Sequence, residues 1–393
     1  MNDTASTVHI LASDVDAPRL SRLSRRGFLG AIGLAGISAA AVACGSRGSS
    51  STAASATGGP LEKDLHIYTW SDYHSPDILD AFRQRNGITL TVDSYASNEE
   101  MIAKLVAARG TSGYDIVIPS GTHMPQMIEN GLLAPLNKSL IPNISHVDPQ
   151  FLGRSWDPDN KYSICKDWGT TGYVYDKTVI KRELTTWADF LDAAQNEASR
   201  KTSILDDPAE ITGPYFWANG IDWNTTDSKD LDAAEQFAVT KLAPNVAAFD
   251  SSPGTSALPQ ATQVLYQAYN GDARKGIAAS RDPNRWQWVF PGPKTELWMD
   301  NWAILAGAQH PEAAHSLINT VLDPANALIE LEYIGYHTGT AGIEKAALAQ
   351  GIDRPEMIFF TPQQVATMQD GEVNEAQQRL VDIWNKAKAA AGA

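Results

Sequence analysis

Three groups of polar and aromatic side chains have the chemistry to hold a small organic cation. These groups are Trp70, Ser71 and Tyr73 in the first, Ser120 in the second, and Trp298 with Asp300 in the third. A carboxylate that hydrogen-bonds to an ammonium group gains about 1.5–3 kcal/mol for each charge-assisted bond. Aromatic faces shelter a methylene chain and add about 0.5–2 kcal/mol of cation–π attraction. Carboxylates spaced along a groove, with aromatic rings between them, would suit an alkyl chain that carries amines.

The elements that position these residues alternate as in an α/β fold. Hydrophobic spacing predicts strands at 65–70, 88–94, 114–119, 173–175 and 298–305, helices at 76–85 and 98–109, and an apolar helix face at 313–321. Asn98 is a candidate N-cap for the second helix. Strand, helix, strand, helix, strand predicts a parallel sheet. Ligands of such sheets bind beyond the carboxyl ends of the strands, which is where the first two groups lie.

Two further carboxylates, Asp207 and Glu210, have a structural alternative. With Pro208 between them they fit a capping box, in which Asp207 is the N-cap and Glu210 reaches back to it. Asp272 follows an Asn-Gly pair and could likewise be a turn residue. Asp300 differs, because an unpaired carboxylate in its apolar setting would be costly. An amine partner therefore explains Asp300 better than a structural role.

The first 44 residues predict an export signal. Arg25 and Arg26 precede an apolar run at 31–43, too short to span a bilayer, that ends at Cys44. The paired arginines are typical of a twin-arginine signal. The small residues before Cys44 resemble a lipobox, whose cysteine is lipid-modified, and residues 45–60 have the composition of a flexible tether. We therefore expect the chain to be exported and held at the outer face of the cytoplasmic membrane.

The length and charge of the remaining chain restrict its class. About 350 residues predict two domains or lobes. Without the signal, 27 basic and 43 acidic residues remain. This excess repels nucleic acid and anionic substrates at long range and attracts cations, although an acidic surface also serves solubility.

Motifs for catalysis and for cofactor binding are missing from the sequence after the signal. It contains no Gly-x-Gly-x-x-Gly, phosphate-loop, Gly-x-Ser-x-Gly or His-Glu-x-x-His pattern. His310 and His315 are five residues apart, which turns a helix by about 500 degrees and points them to different sides. Cys165 lies in an apolar stretch and is predicted to be a small core residue. We expect no enzyme activity, no cofactor and no metal site.

Eight segments, in order and spacing, resemble the substrate-binding proteins of spermidine/putrescine ABC importers. They are 68–73 (YTWSDY), 94–99 (SYASNE), 114–120 (YDIVIPS), 157–162 (DPDNKY), 186–189 (TWAD), 205–210 (LDDPAE), 244–249 (PNVAAF) and 298–300 (WMD). The likeness covers nearly the whole chain after the signal. It implies an α/β, two-lobed periplasmic-binding-protein fold of type II, in which each lobe is a mixed sheet flanked by helices and the ligand lies in the interlobe cleft. Lobe 1 is then expected at 61–170 and about 297–345, and lobe 2 at 171–296 and about 346–393.

The resemblance also implies a set of ligand-binding residues. They are the aromatics Trp70, Tyr73, Tyr269, Trp298 and Tyr336, the serines Ser71, Ser120 and Ser251, and the carboxylates Asp207, Glu210, Asp272 and Asp300. Trp70, Tyr269 and Trp298 could instead be core aromatics, the usual fate of such residues.

Departures from the family pattern leave the preferred amine open. Thr122 replaces an aromatic residue of the spermidine-preferring members. Asp272 and the pair Ser71-Asp72 follow the putrescine-preferring branch instead. Asn374 aligns only loosely with a late glutamine of the spermidine branch. The resemblance therefore implies a mixed site.

The implied function is capture of a polyamine and its delivery to the permease and ATPase of an ABC importer. The protein is expected to act as a lipid-anchored monomer and not to bind nucleic acid. Two alternatives stay open. One is a binding protein for another small cation or solute, including ferric iron, for which Tyr333 and Tyr336 give thin support. The other is a secreted hydrolase that uses Asp207 and Glu210 as acid and base.

Overall fold

The helices and strands are those of a computed structural model, which describes residues 55–108 and 112–392. The predicted signal, Cys44 and residues 45–54 of the predicted tether lie outside these ranges. The strands are β1 (Asp64–Trp70), β2 (Thr89–Tyr95), β3 (Ile116–Val117), β4 (Ile164–Gly169), β5 (Thr171–Asp176), β6 (Thr202–Ile204), β7 (Val246–Phe249), β8 (Leu265–Tyr269), β9 (Trp286–Val289), β10 (Thr295–Ile304) and β11 (Met368–Asp370). The helices are α1 (Pro76–Asn86), α2 (Asn98–Ala108), α3 (Met124–Glu129), α4 (Trp187–Gln195), α5 (Pro208–Ala218), α6 (Ser228–Phe237), α7 (Asn270–Ala279), α8 (Pro311–Val321), α9 (Pro324–Ile334), α10 (Ile343–Ala349), α11 (Pro362–Val365) and α12 (Gln377–Ala391).

A first mixed sheet organises lobe 1. Its strand order is β11-β10-β3-β1-β2, and β4 pairs with another part of β10. β1 runs parallel to β2 and β3, whereas β10 runs antiparallel to β3 and β4. One large apolar cluster includes Ile67 and Leu317, and a second includes Tyr68 and Met127. Ile67 and Tyr68 are consecutive in β1 and face opposite sides of the sheet, so both faces are covered.

A second mixed sheet organises lobe 2, with strand order β7-β6-β8-β5-β9. β6 is parallel to β7 and β8, and β5 is antiparallel to β8 and β9. Tyr173 and Trp187 belong to one apolar cluster of this lobe, while Val174 and Trp286 belong to another. The two predicted lobes, each a mixed sheet flanked by helices, are confirmed.

The chain passes between the sheets at three neighbouring places. Thr170 links β4 to β5, and the segment after β9 leads into β10. Thr170 Oγ1 donates to the carbonyl of Glu296 at 2.6 Å, and Thr295 Oγ1 donates to the carbonyl of Thr171 at 2.5 Å. The third passage follows β11, which pairs with the start of β10. These hydrogen bonds hold the connecting segments together, and short connecting segments of this kind act as hinges between lobes.

The C-terminal segment divides between the lobes. β11 pairs with β10 in the first sheet, although the predicted division gave 346–393 to lobe 2. α12, in contrast, contacts the lobe 2 loop before α5, where Trp384 Nε1 and Lys388 Nζ bond to Asp206. The exact limits of the lobes otherwise stay a prediction.

Most predicted elements are confirmed with small shifts, but the strand at 114–119 is much shorter than expected. Only Ile116 and Val117 pair as β3. The Asp115 carboxylate accepts backbone N–H groups of the neighbouring elements, including that of His66 at 2.9 Å. The Ile118 carbonyl accepts from side chains. These bonds add to the backbone hydrogen bonds that Asp115 and Pro119 keep with the neighbouring strands.

Asn98 begins α2 but does not cap it as predicted. Its side chain instead exchanges two hydrogen bonds of 3.1 Å with Ser120. Cys165 is fully buried, as predicted for a core residue. Within the described ranges, no helix has both the length and the apolar character needed to cross a membrane.

Candidate functional site

Asp300 forms one end of the candidate site, in lobe 1. It lies on β10 and is only 6% exposed. Ser120 Oγ, at the end of the segment that follows β3, donates to its Oδ1 at 2.6 Å. Tyr73 Oη, in the turn after β1, lies 2.7 Å from its Oδ2. The structure thus brings Ser120 and Tyr73, which were predicted beyond strand ends, to the carboxylate of Asp300 within β10.

A second carboxylate, Asp167, lies across from Asp300 on the neighbouring strand. The two residues are paired in the antiparallel register of β4 and β10. Tyr73 Oη also contacts Asp167, at 2.6 Å from its Oδ1. Like charges directly opposite each other destabilise a sheet, so this pair needs a compensating charge or a proton. Sequence reasoning missed Asp167, although a Lys-Asp pair inside a strand between Cys165 and Trp168 was a visible signal.

Behind Asp167 lies a buried chain of charged groups. Lys166 Nζ contacts Asp167 at 2.8 Å and Glu330 on α9 at 3.3 Å. Glu330 also lies 3.3 Å from His74 Nδ1 and accepts the backbone N–H of Ser75 at 2.8 Å. Lys166 Nζ stands 4.0 Å from the centre of the Tyr73 ring. This chain supports the Tyr73 ring and connects the site to the core of lobe 1.

The carboxyl groups at the lobe 1 end of the site differ in how far nearby positive charges stabilise their ionised forms. Burial, together with the charge of Asp167, raises the pKa of Asp300 to about 7. Burial alone would also raise the pKa of Glu330, but Lys166 and His74 outweigh it and lower that pKa to about 2. For Lys166, burial is outweighed by Asp167 and Glu330, so its pKa is raised. Burial also raises the pKa of Asp167, but the Lys166 ammonium group in contact with it favours its ionised form, and Asp300 has no such contact among the described residues.

The predicted capping box at 207–210 is only half correct. Asp207 is the N-cap of α5 and accepts the N–H groups of Ala209 and Glu210 at 2.8 and 3.1 Å. Glu210 does not reach back to it. Its carboxylate instead accepts from Gln267 Nε2 at 2.9 Å and from Thr171 Oγ1 at 2.8 Å. Bonds to β5 and β8 replace the predicted cap, and they hold a 2% exposed carboxylate at the start of α5.

Glu296 joins Glu210 to form the acidic end of the site near lobe 2. Thr171 Oγ1 lies 2.7 Å from Glu296 Oε2, so one hydroxyl contacts both carboxyl groups. Burial and the neighbouring Glu296 charge raise the pKa of Glu210 well above its usual range. Burial also raises the pKa of Glu296, to about 7. Sequence reasoning missed Glu296, although side chains two apart in a strand share a face and Trp298 had been recognised.

Three aromatic rings line the space associated with these carboxylates. The Trp298 ring centre lies 4.8 Å from that of Tyr336 and 6.0 Å from that of Tyr269, both edge to face. Tyr336 also lies 6.5 Å from Tyr73. Gly169 lies against the Trp298 ring, where an added Cβ would approach within 2.4 Å of the indole. These contacts bring the predicted aromatics from β8, β10 and the segment after α9 into one wall.

Trp70 has the contacts of a core aromatic, and its role in ligand binding stays a prediction. Its indole N–H donates to the Ile118 carbonyl at 3.1 Å, and its ring packs edge-on against Tyr95 at 4.7 Å. It is nevertheless half-buried at the end of β1, three residues before Tyr73. The core contacts fix the ring, and one part of it stays accessible.

The remaining predicted residues are less closely connected to the site. Ser71 and Ser251 are exposed. Asp272 is no turn residue, because it lies in the first turn of α7 and accepts the Gly254 N–H at 2.7 Å. Burial raises the pKa of Asp272 to about 6. Its backbone N–H donates to Tyr336 Oη at 3.2 Å, which links it to the aromatic wall.

The two histidines that were considered as metal ligands have separate partners. His310 Nδ1 lies 2.9 Å from Asp115, whereas His315 accepts the Asn137 N–H at 3.0 Å. Tyr333 and Tyr336, which were considered as iron ligands, have different surroundings. Tyr336 belongs to the aromatic wall, whereas the Tyr333 ring lies beneath the ammonium group of Lys275. Neither pair acts as a unit in this structure.

The chain belongs to the family of bacterial extracellular solute-binding proteins, whose profile matches residues 77–357. A spermidine/putrescine-binding periplasmic protein of Salmonella typhimurium is 30% identical over 327 residues, covering 83% of this chain and 91% of the relative. The spermidine/putrescine-binding periplasmic protein of Escherichia coli is 34% identical over 282 residues, or 72% and 79% of the two chains. A putrescine/cadaverine-binding protein of Pseudomonas aeruginosa is 31% identical over 350 residues, or 86% and 96%.

Solved structures agree with this assignment. The chain superposes on the spermidine/putrescine ABC transporter substrate-binding protein PotD of Streptococcus pneumoniae with a TM-score of 0.71 and 27% identity, over 84% of this chain and 100% of the other. A putative spermidine/putrescine ABC transporter protein of Listeria monocytogenes gives 0.74 and 26%, over 83% and 99%. The predicted type II periplasmic-binding-protein fold is confirmed. The chain is thus an extracytoplasmic solute-binding protein of the ABC-importer class and not an enzyme, which removes the hydrolase alternative.

Proposed function

We propose that this protein captures a polyamine such as spermidine or putrescine in the cleft between its lobes and delivers it to the permease of an ABC importer. One observation carries the proposal: acidic groups stand at two ends of the site, with an aromatic wall beside them. Asp300 is held at one end by Ser120 and Tyr73, and Glu210 with Glu296 forms the other. The names of the relatives support the same ligand class.

The chemistry of the two ends favours a ligand with more than one amine. Four carboxyl groups near the site are Asp167, Asp300, Glu210 and Glu296, and Lys166 contacts only the first of them directly. An ammonium group can donate three hydrogen bonds and supplies the missing positive charge. The rings of Trp298 and Tyr336 offer apolar surface to the methylene groups between amines. An anionic or neutral solute would leave these carboxyl groups uncompensated.

Closure completes the proposed mechanism. Ligand groups that contact Asp300 on lobe 1 and Glu210 on lobe 2 at the same time stabilise the closed arrangement of the lobes. Side chains of both lobes contribute to the site, so the open form has only half of the contacts. The permease and ATPase then act on the closed, loaded protein.

Calorimetry with the soluble protein beginning after Cys44 tests the proposal. Spermidine, putrescine and spermine are titrated separately, with lysine as a cationic solute of different shape. We expect one-to-one binding of micromolar or tighter affinity for at least one polyamine, and the ranking tells whether Asp272 or Thr122 governs the choice. Absence of binding to all three polyamines, with the protein folded, would contradict the proposal and favour another small cation.

We further propose that Cys44 is lipid-modified after export through a twin-arginine signal, so that the protein stays at the membrane as a monomer. The support is the sequence at 25–44 and the tether-like composition of residues 45–60. Cys44→Ser should move the protein from the membrane fraction to the soluble fraction of cells. Equal membrane retention of the variant and the parent would contradict the anchor.

A further inference from the structure

The carboxyl groups of lobe 1 that face the site share a single hydroxyl hydrogen. Tyr73 Oη lies 2.6 Å from Asp167 and 2.7 Å from Asp300, and both are short hydrogen-bond distances. A phenol has one hydrogen and donates it to one acceptor. The other contact needs a hydrogen that only the carboxyl group itself can supply. Asp167 and Asp300, here called the first acid pair, therefore hold one proton between them.

The other end of the site repeats this arrangement with different residues. Thr171 Oγ1 lies 2.8 Å from Glu210 and 2.7 Å from Glu296, again with one hydrogen for two acceptors. Glu210 and Glu296 are here called the second acid pair. Gln267 donates to Glu210 Oε2 and stabilises its position, but an amide has no proton to give. The second acid pair also requires a proton of its own.

The surroundings of the two pairs determine where the protons lie. In the first pair, Lys166 contacts Asp167, so the proton belongs to Asp300. Glu330 and His74 lie behind Lys166, and burial lowers the pKa of His74, while Tyr95 and Tyr336 face Asp300 as neutral groups.

The second pair has acidic neighbours. The charges of Asp207 and Asp370 both raise the pKa of Glu296, and Tyr269 faces Glu210 as a neutral group. Across the cleft, the Glu99–His123 pair of lobe 1 acts on Asp207 with opposing charges. Glu210 is the more buried member of the pair and holds the proton.

We propose that Asp167 and Glu296 are proton-sharing partners of Asp300 and Glu210, so that binding of a ligand with several ammonium groups releases the proton of each acid pair to solvent. The inference rests on the proposed function and adds to it the partners and the linkage to pH. In each pair one O–H bond of a carboxyl group breaks, and hydrogen bonds from the ligand ammonium replace it. Asp167 and Glu296 are positioning residues in this scheme, because they act through the carboxyl group beside them.

Proton release makes affinity depend on pH in a definite direction. The pKa of about 7 for Asp300 places the loss of the first pair's proton near neutrality, and the raised pKa of Glu210 keeps the second pair protonated well above the usual range of a carboxyl group. Below that range the ligand must displace protons, and above it the carboxylates are already ionised. Affinity should therefore rise from about pH 5.5 to pH 7.5, by up to about tenfold per pH unit for each linked proton.

The measurement is calorimetry of the soluble protein with putrescine, or with spermidine if that binds more tightly, in two buffers of different ionisation enthalpy. The buffer dependence of the heat gives the number of protons released. We expect more than one proton for each ligand at about pH 6, and a smaller number at about pH 8.5, where Asp300 is already ionised. Tight binding without proton release at about pH 6 would overturn the inference while the proposed function stands. If no polyamine binds at all, the proposed function itself fails.

A substitution at Glu296 tests whether the second acid pair releases one of the protons. Glu296→Gln should lower proton release by about one at pH 6 and flatten the rise in affinity with pH, a readout that a merely structural role would not change. Glu372→Gln is the matched control, since Glu372 is exposed and should leave proton release unchanged. Wild-type proton release in folded Glu296→Gln would exclude Glu296 as a partner. The wild-type measurement stands even if the variant does not fold.

Discussion

At the scale of single residues, Asp300 has the most demanding position in the site. It is 6% exposed, faces Asp167 across the strand pair, and among the described residues its carboxyl oxygens contact the hydroxyl groups of Ser120 and Tyr73. A ligand ammonium would compensate the charge that Asp300 carries once its proton is released. The carboxylate should therefore contribute more to ligand binding than to stability of the free protein.

Replacing Asp300 with Asn tests this expectation. The change should weaken polyamine binding by at least about 2 kcal/mol, or roughly thirtyfold, because a buried charge-assisted hydrogen bond is lost. Stability of the ligand-free protein should change little, since the amide, like the protonated carboxyl group, is neutral and can donate a hydrogen bond. Calorimetry and chemical denaturation measure the two effects. Asp77→Asn, at an exposed carboxylate, serves as the control, and unchanged affinity in Asp300→Asn would contradict the assignment.

Site residues that follow a strand could be predicted from the sequence. Site residues that come together through the pairing of two strands could not. Ser120 and Tyr73 were predicted because they follow apolar segments, and Asp300 was predicted because an unpaired carboxylate in its apolar setting would be costly. Asp167 and Glu296 were missed because their importance depends on strand register, which brings β4 beside β10 and Thr171 beside both glutamates. Register arises from contacts distant in sequence, so local patterns carry little trace of it.

At the scale of elements, buried ion pairs fasten β4 to α9. Lys166 on β4 contacts Glu330 on α9, which also bonds to the turn containing His74 and Ser75. All these side chains are almost fully buried. Removal of one member leaves an uncompensated charge in the interior, which typically costs about 3–5 kcal/mol.

Glu330→Gln should therefore lower the free energy of unfolding by about 3–5 kcal/mol at pH 7. The pKa of Glu330 is lowered to about 2 in the folded protein, so its contribution is complete above its unfolded pKa of about 4.3. That contribution is lost as pH falls through about 2. Urea denaturation at neutral and at acid pH should show the gap between variant and parent closing in acid. Glu332→Gln, exposed on the same helix, is the control.

The end of β4 also fixes the aromatic wall through a residue without a side chain. At Gly169 an added Cβ would lie 2.3 Å from Asn270 Oδ1 and 2.4 Å from the Trp298 ring. Gly169→Ala should therefore displace Trp298 and weaken ligand binding more than tenfold, because overpacked sites force neighbouring side chains to shift. Gly59→Ala, where the Cβ would meet only ordinary contacts, is the control. Equal affinity of Gly169→Ala and the parent protein would show that the wall tolerates the shift.

At the scale of the whole molecule, the two sheets and their covering helices were predictable, and the path of the C-terminal segment was not. The alternation of strands and helices is local, so it survives in the sequence. β11 is three residues long and pairs with the start of β10, some 70 residues earlier in the chain. Short edge strands have too few residues for a hydrophobic pattern. The placement of the last residues therefore required the structure.

Closure of the lobes should be visible as a change in shape and stability. Saturating polyamine is expected to reduce the radius of gyration in small-angle scattering and to raise the melting temperature as its concentration increases. The physical reason is that only the closed form contacts the ligand from both lobes. Asp300→Asn should show both effects only at higher ligand concentration. A melting temperature that rises without compaction would mean that the unliganded protein is already closed.

The placement of the acid pairs on opposite sides of the interlobe passages has a consequence for selectivity. Each end alone is a weak receptor for one ammonium group, and the chain between the lobes links two such receptors. Once one amine is held, the second meets its partner at an effective concentration set by the hinge and the ligand's own length, not by the bulk solution. A monoamine or a small inorganic cation gains nothing from this linkage, however abundant it is. Discrimination against such ions thus comes from the covalent link between the two binding ends, and no single contact in the site provides it.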